Sequence, residues 1–300
     1  METTPRTETP PGTLLFAWLV AVLSSTLPLI IAREIFHTEP GWLFQLRLGG
    51  LGIALFAVLF SQRFRPLFKF VLVIALLFVL EYVSGWIAGS RFWMNIFGGK
   101  GFTANMASTQ VLRLLISAGM ITALMSLQGH PSRFFLVKGN LDAAAQPIPL
   151  LMSKPSRWSR LGWILAVCIT GGTLVFLILG ASPTAASFSR LLPLLPAGVI
   201  FAVMNSFSEE VNYRASLLSV LEEPLGKGQS LLLTSLYFGI GHFYGVPYGI
   251  AGVIMASLLG WFLGKSMLET RGLGWAWFIH FLQDAAIFSF LALGSITPGG

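Results

Sequence analysis

The sequence predicts an all-α, polytopic membrane helix bundle with eight or nine transmembrane helices. Of its 300 residues 55% are hydrophobic and only 10% charged, against about 25% charged in an average soluble chain. Stretches free of Asp, Glu, Lys and Arg cover residues 14–32, 48–62, 114–132, 161–189, 191–208 and 228–264, and residues 272–300 apart from Asp284. A bilayer core takes about 20 mostly apolar residues per helix, and the longer runs can be cut at Pro or Gly. Trp42, Trp93, Trp158, Trp163 and Trp275 fall near the ends of these runs, as interfacial aromatic rings do. A soluble enzyme and a disordered chain are both excluded.

In chain order the spans are expected at about residues 13–32, 43–60, 70–89, 106–127, 161–181, 194–220, 229–246, 249–264 and 273–294. No small-residue cleavage pattern follows the first run before Arg33 and Glu34, so it reads as a retained span rather than a signal peptide. Arg63, Arg65 and Lys69 lie between the second and third spans, and Arg133, Lys138, Lys154, Arg157 and Arg160 after the fourth. Positive residues mark cytoplasmic connections. Two crossings separate these clusters, which puts both, and the N-terminus, on the cytoplasmic side of the cell membrane. Residues 129–160 then form a cytoplasmic loop between an N-terminal four-helix region, 1–128, and a C-terminal region, 161–296. The net charge of +7 is read as topology, so membrane lipids are expected partners and nucleic acid is not. Cys168 is the single cysteine, which excludes an internal disulfide and a thiolate metal cluster.

Ionisable residues within spans are costly and therefore candidates for function. Glu81 interrupts the third span and Arg113 begins the fourth. They are equidistant from Phe97, so an antiparallel hairpin predicts an ion pair between them. A denser set follows in the C-terminal region. Glu210 and Arg214 are four residues apart and share a helix face, while Glu209 points about 100° away and is left for other work. A turn at Leu225-Gly226, beside Pro224, would bring Glu209 level with His242, within the bilayer. His280 and Asp284 are again four apart, so one helix presents both to a common cavity. Glu209 in a low-dielectric pocket would suit a general base, with a neutral imidazole orienting the water.

These residues fall into three motifs: Glu209-Glu210-Val211-Asn212-Tyr213-Arg214 as E-E-x-x-x-R, Phe238 to His242 as F-x-x-x-H, and His280 to Asp284 as H-x-x-x-N/D. In this order, on successive apolar helices, they resemble the CPBP intramembrane proteases, which include the type II CAAX prenyl endopeptidases and bacteriocin-processing proteins. The resemblance covers about residues 161–296, a CPBP-like protease domain. It implies that Glu209 with His242 activates water, that His280 with Asp284 stabilises the oxyanion, and that Glu210, Arg214 and Phe238 support the site. It also implies a peptide or protein substrate, a membrane-anchored or leader peptide rather than necessarily a prenylated one, and a mechanism without metal or cofactor. Asp284 departs from the commoner Asn. An ionised Asp repels an oxyanion, so Asp284 must work protonated or by orienting His280.

Three other readings remain open. Glu209, His242 and His280 are a His-His-Glu set that zinc accepts with one position left for water. A non-catalytic immunity or scaffold protein would use the same cavity to bind a partner. Intramembrane carboxylates and imidazoles also form the proton relays of transporters.

Overall fold

The computed structural model describes residues 9–99, 101–148 and 151–296. Among them the helices are α1 (Pro11–Ser24), α2 (Leu27–Ile30) continued by a π turn (Ile31–Ile35), α3 (Leu43–Phe60), α4 (Phe68–Ala88), α5 (Arg91–Phe97), α6 (Gly101–Gln128), α7 (Trp158–Ala181), α8 (Ala185–Leu191), α9 (Leu195–Glu209), α10 (Ser216–Ile240), α11 (Ile250–Thr270) and α12 (Gly274–Ile296). Among the described residues, seven helical runs are long and apolar enough to cross a membrane, or up to eight if the bent pair at the start is one span. The run Ala185–Ile240 counts as one of these, although it is broken at Gly226, where φ is 75°. The protein is a multi-pass helical membrane protein, as the charge-free runs predict.

The chain forms two compact units, one of Met1–Phe78 with Ser216–Gly264 and a second of Val79–Ala215 with Lys265–Gly300. In the first unit, the first span is not straight: Pro11–Ser24 and Leu27–Ile35 meet at 55°. The break leaves carbonyls at the end of α1 without helical partners. Arg47 takes them up, donating from Nε to Leu23 (3.0 Å) and from Nη2 to Ser24 (2.6 Å) and Ser25 (2.7 Å). The break in α10 at Gly226 is where the sequence predicts a turn, since Pro224 removes a helical hydrogen bond and a positive φ suits glycine. His242 lies just beyond the end of α10 rather than within a helix.

In the second unit, α9 packs against both α6 and α12, and α7 packs against α12. Phe201, Ala202 and Phe288 form a buried cluster with Phe102, Met106 and Phe281 around it, which binds α6, α9 and α12 into one group. The loop between α6 and α7 is held against the start of α12. Asn140 N–H donates to the Thr270 carbonyl at 2.8 Å, Leu273 N–H to Val137 at 2.8 Å, and the Trp275 indole to Leu141 at 2.9 Å. At Gly139, φ is 76° and a Cβ would stand 2.7 Å from the Thr270 carbonyl oxygen, so this docking needs glycine. Its short strands β1 (Ala144–Ala145) and β2 (Ser156–Arg157) pair antiparallel. Burial of Trp158, with its indole donating to Glu269 at 2.8 Å, ties the loop to the end of α11.

Candidate active site

The site in the second unit follows from the antiparallel match of α9 and α12. The Phe201 and Phe288 rings meet at a tilt of 50°, 6.4 Å apart between centroids. One helical turn further along α9 is Asn205, and one turn back along α12 is Asp284; the Asn205 amide donates to Asp284 Oδ2 at 3.0 Å. Another turn brings Glu209 opposite His280, with His280 Nε2 3.6 Å from Glu209 Oε2. An apolar rung sets the register and two polar rungs follow at the four-residue spacing of a helix face.

Immediately after Glu209 the backbone changes to a π segment, Glu210–Ala215, a form that recurs at functional sites. Here Glu210 accepts from Arg214 and from His280 Nδ1, the latter at 2.7 Å. A carboxylate only accepts, so Nδ1 carries the proton. The imidazole thus has Glu210 on one side and, beyond Nε2, Glu209 and Asp284 Oδ1, the latter at 3.7 Å. The Glu210 and Arg214 side chains are 0% and 1% exposed.

Glu209 is not left free, as helical geometry suggested. Its Oε1 accepts from Arg113 Nη1 at 2.5 Å, and the same nitrogen donates to Asn205 Oδ1. This replaces the expected ion pair between Glu81 and Arg113. Glu81 instead accepts the Tyr213 hydroxyl at 2.7 Å. The hairpin argument correctly brought Glu81 and Arg113 to one depth, since both line the same cavity, but it could not include the third helix that competes for the arginine. Asn205 was also missed. Its signal was present in the sequence: a polar residue in an apolar run, one helical turn before Glu209.

The cavity holds about 320 Å³ and is lined by Glu81, Ser84, Thr109, Arg113, Ser208, Glu209, Asn212 and Tyr213, with Leu112 and Ile116 among the apolar wall. Ser208 Oγ and Asn212 Oδ1 are buried and have no hydrogen-bond partner among the described residues. Buried polar atoms in this state are expensive, and a ligand with its own donors and acceptors would satisfy them. No group of three or more His, Cys, Asp or Glu side chains among the described residues is arranged to hold a metal ion.

Phe238 and His242 belong to the first unit. The rings stand 4.3 Å apart between centroids, and His242 Nδ1 lies 2.9 Å from the Phe238 carbonyl oxygen. That oxygen accepts, so the proton sits on Nδ1 and the Nε2 lone pair of a neutral ring remains to accept. The motif spacing of four residues is therefore a local device that fixes one tautomer.

No curated protein and no solved structure gave a match to the chain. Residues 191–286, which contain all three motifs, match the family model of the type II CAAX prenyl endopeptidases, Rce1-like. The match bears out the resemblance to the CPBP intramembrane proteases and supports, in general terms, a CAAX-type intramembrane protease.

Proposed function

We propose that the protein is an intramembrane endopeptidase that hydrolyses a peptide bond of a membrane-associated substrate, with Glu209 as the general base. The observation that carries this reading is the group Glu209, His280 and Asp284, in which Glu209 lines the cavity and His280 behind it is held by Glu210. In the proposal, Glu209 takes a proton from water as the oxygen attacks the scissile carbonyl, and later returns it to the leaving nitrogen. His280 acts as the doubly protonated ring, so that Nε2–H, as well as Nδ1–H, is a donor and bonds the developing oxyanion. Asp284, bonded by the Asn205 amide and close to that ring nitrogen, orients the imidazole. His242 is kept as the second group on the water because the F-x-x-x-H motif lies within the matched segment and its Nε2 is the accepting nitrogen.

The reaction is written without metal. A guanidinium 2.5 Å from Glu209 opposes a dication on the same carboxylate, since like charges in a low-dielectric site repel strongly. Zinc at stoichiometric level in purified protein, lost with activity on chelation, would overturn this part. The N-terminus is proposed to be cytoplasmic. In a Cys168→Ser background, single cysteines at Lys154 and Gly226 should both label from the cytoplasmic side, and opposite sides would overturn the topology.

The activity itself is tested by comparing membrane peptides from cells that carry the native protein or the Glu209→Gln variant. A peptide cleaved only with the native protein supports the protease and names its substrate. Equal cleavage by the variant would leave the cavity as the binding site of an immunity or scaffold protein.

A further inference from the structure

Arg113 lies outside both the three motifs and the matched segment 191–286, yet it is the residue in direct contact with the carboxylate proposed to do the chemistry. Both of its contacts, to Glu209 and Asn205, are made by Nη1. Its side chain is 39% exposed and lines the cavity. A purely structural pair has a counterpart one residue along the chain: Glu210 with Arg214, sealed on all sides. The pair at Glu209 is built differently, with the cation at the wall where substrate would lie.

We propose that Arg113 is a catalytic residue whose charge passes from Glu209 to the oxyanion during the reaction, an inference that rests on the protease reading above. Before reaction, the guanidinium is the counter-charge of ionised Glu209. When water attacks, one water O–H bond breaks and its proton goes to Glu209; the C–O bond forms and the carbonyl π pair moves onto oxygen. Glu209 is then neutral and the substrate oxygen carries the negative charge. Without a nearby cation this moves a charge into a low-dielectric cavity with no partner, which is strongly unfavourable. With Arg113 in place the negative charge keeps a cationic partner, on Glu209 before the step and on the substrate oxygen after it. On collapse the C–N bond breaks, the carbonyl reforms, and the proton held by Glu209 goes to the leaving nitrogen, which restores the original ion pair. His280 then shares the oxyanion with the guanidinium, which removes the need for Asp284 to donate to it.

The test uses full-length protein in lipid nanodiscs, the peptide identified by the Glu209→Gln comparison, and the phosphinate isostere of that peptide, in which a tetrahedral anion replaces the scissile carbonyl. Loss of one oxyanion donor costs roughly 10²–10³-fold in kcat. Arg113→Gln should show this loss with KM changed by less than about threefold, and should weaken phosphinate binding by a similar factor. Arg113→Lys keeps the charge but not the planar fork, so both losses should be only about tenfold. If Arg113→Gln lowers kcat but leaves phosphinate affinity intact, Arg113 merely positions Glu209 and the proposal fails. If the Gln variant does not accumulate, the Lys variant decides by the same comparison: unchanged phosphinate affinity overturns the proposal. Native protein without cleavage defeats the protease reading and this proposal together, whereas native cleavage with a fully active Arg113→Gln defeats this proposal alone.

Discussion

Glu209 and Glu210 are neighbours in sequence, both bonded to arginine and both facing His280, but their surroundings separate them. The Glu210 and Arg214 side chains are 0% and 1% exposed, while Glu209 and Arg113 are 10% and 39% exposed and line a cavity. Glu210 approaches His280 at 2.7 Å and its second oxygen has no hydrogen-bond partner among the described residues; Glu209 stands 3.6 Å from the other ring nitrogen. A sealed pair can only hold structure, because nothing reaches it. A pair at a cavity wall can exchange partners with a substrate. In the proposed mechanism, accessibility rather than residue type divides the roles.

The largest expected effect breaks the sealed pair. Arg214→Ala leaves Glu210 buried without its cation, a loss of about 3–5 kcal/mol for a pair of this kind. The fraction of protein that survives heating in detergent should fall sharply, and activity with it. Normal thermal survival with activity alone lost would move Arg214 into the reacting group. His280→Ala comes next, since it touches both pairs: turnover should drop by about 10²–10³-fold as the oxyanion contact goes, while binding of an uncleaved peptide persists. Loss of binding with equal severity would assign His280 to substrate capture.

The charge-free runs made the fold readable, because helices in lipid must satisfy their own backbone and therefore announce themselves by length and composition. The turn at Gly226 was equally legible, since Pro224 and glycine leave few alternatives. The bend after Ser24 was not, because its carbonyls are satisfied by Arg47 on another helix. Within the site, residues one helical turn apart could be paired from sequence: Glu210 with Arg214, and His280 with Asp284. Partners supplied by a third helix could not. Arg113 and Asn205 join Glu209 and Asp284 through the packing of α6, α9 and α12, which no local spacing encodes.

Smaller effects sharpen the contrast at the cavity and outside it. Asn212→Ala removes a buried acceptor that a peptide N–H would satisfy. A hydrogen bond of this kind contributes about 0.5–1.5 kcal/mol, so KM for the cleaved peptide should rise by about two- to tenfold with kcat nearly unchanged. An unchanged KM would place the peptide elsewhere in the cavity. The weakest effect belongs to the exposed loop, where the Ser159 hydroxyl and then Arg157 hold Asp142 below the ordinary carboxylate range. A depressed folded-state pKa contributes stability above the unfolded value and loses it as pH falls through the lower one. Protease resistance of the loop should therefore be greater at neutral pH than in acid below the usual carboxylate range, and Asp142→Asn should remove that difference. Persistence of the difference in the variant would point to another carboxylate, such as Glu269, which accepts from Gln146 N–H and the Trp158 indole.

The most direct measurement compares Glu209→Gln with Glu210→Gln, each purified in nanodiscs and scored for turnover per folded molecule and for thermal survival. Both substitutions keep the shape of the side chain and remove one negative charge. The cavity-facing role of Glu209 predicts a fall in turnover of at least about 10²-fold, the lower range of general base catalysis, with thermal survival close to native. The sealed role of Glu210 predicts the opposite: a clear loss of thermal survival, with turnover per folded molecule reduced by less than about tenfold. Retained turnover in Glu209→Gln, with the larger catalytic loss in Glu210→Gln, would contradict the division of labour between the two pairs.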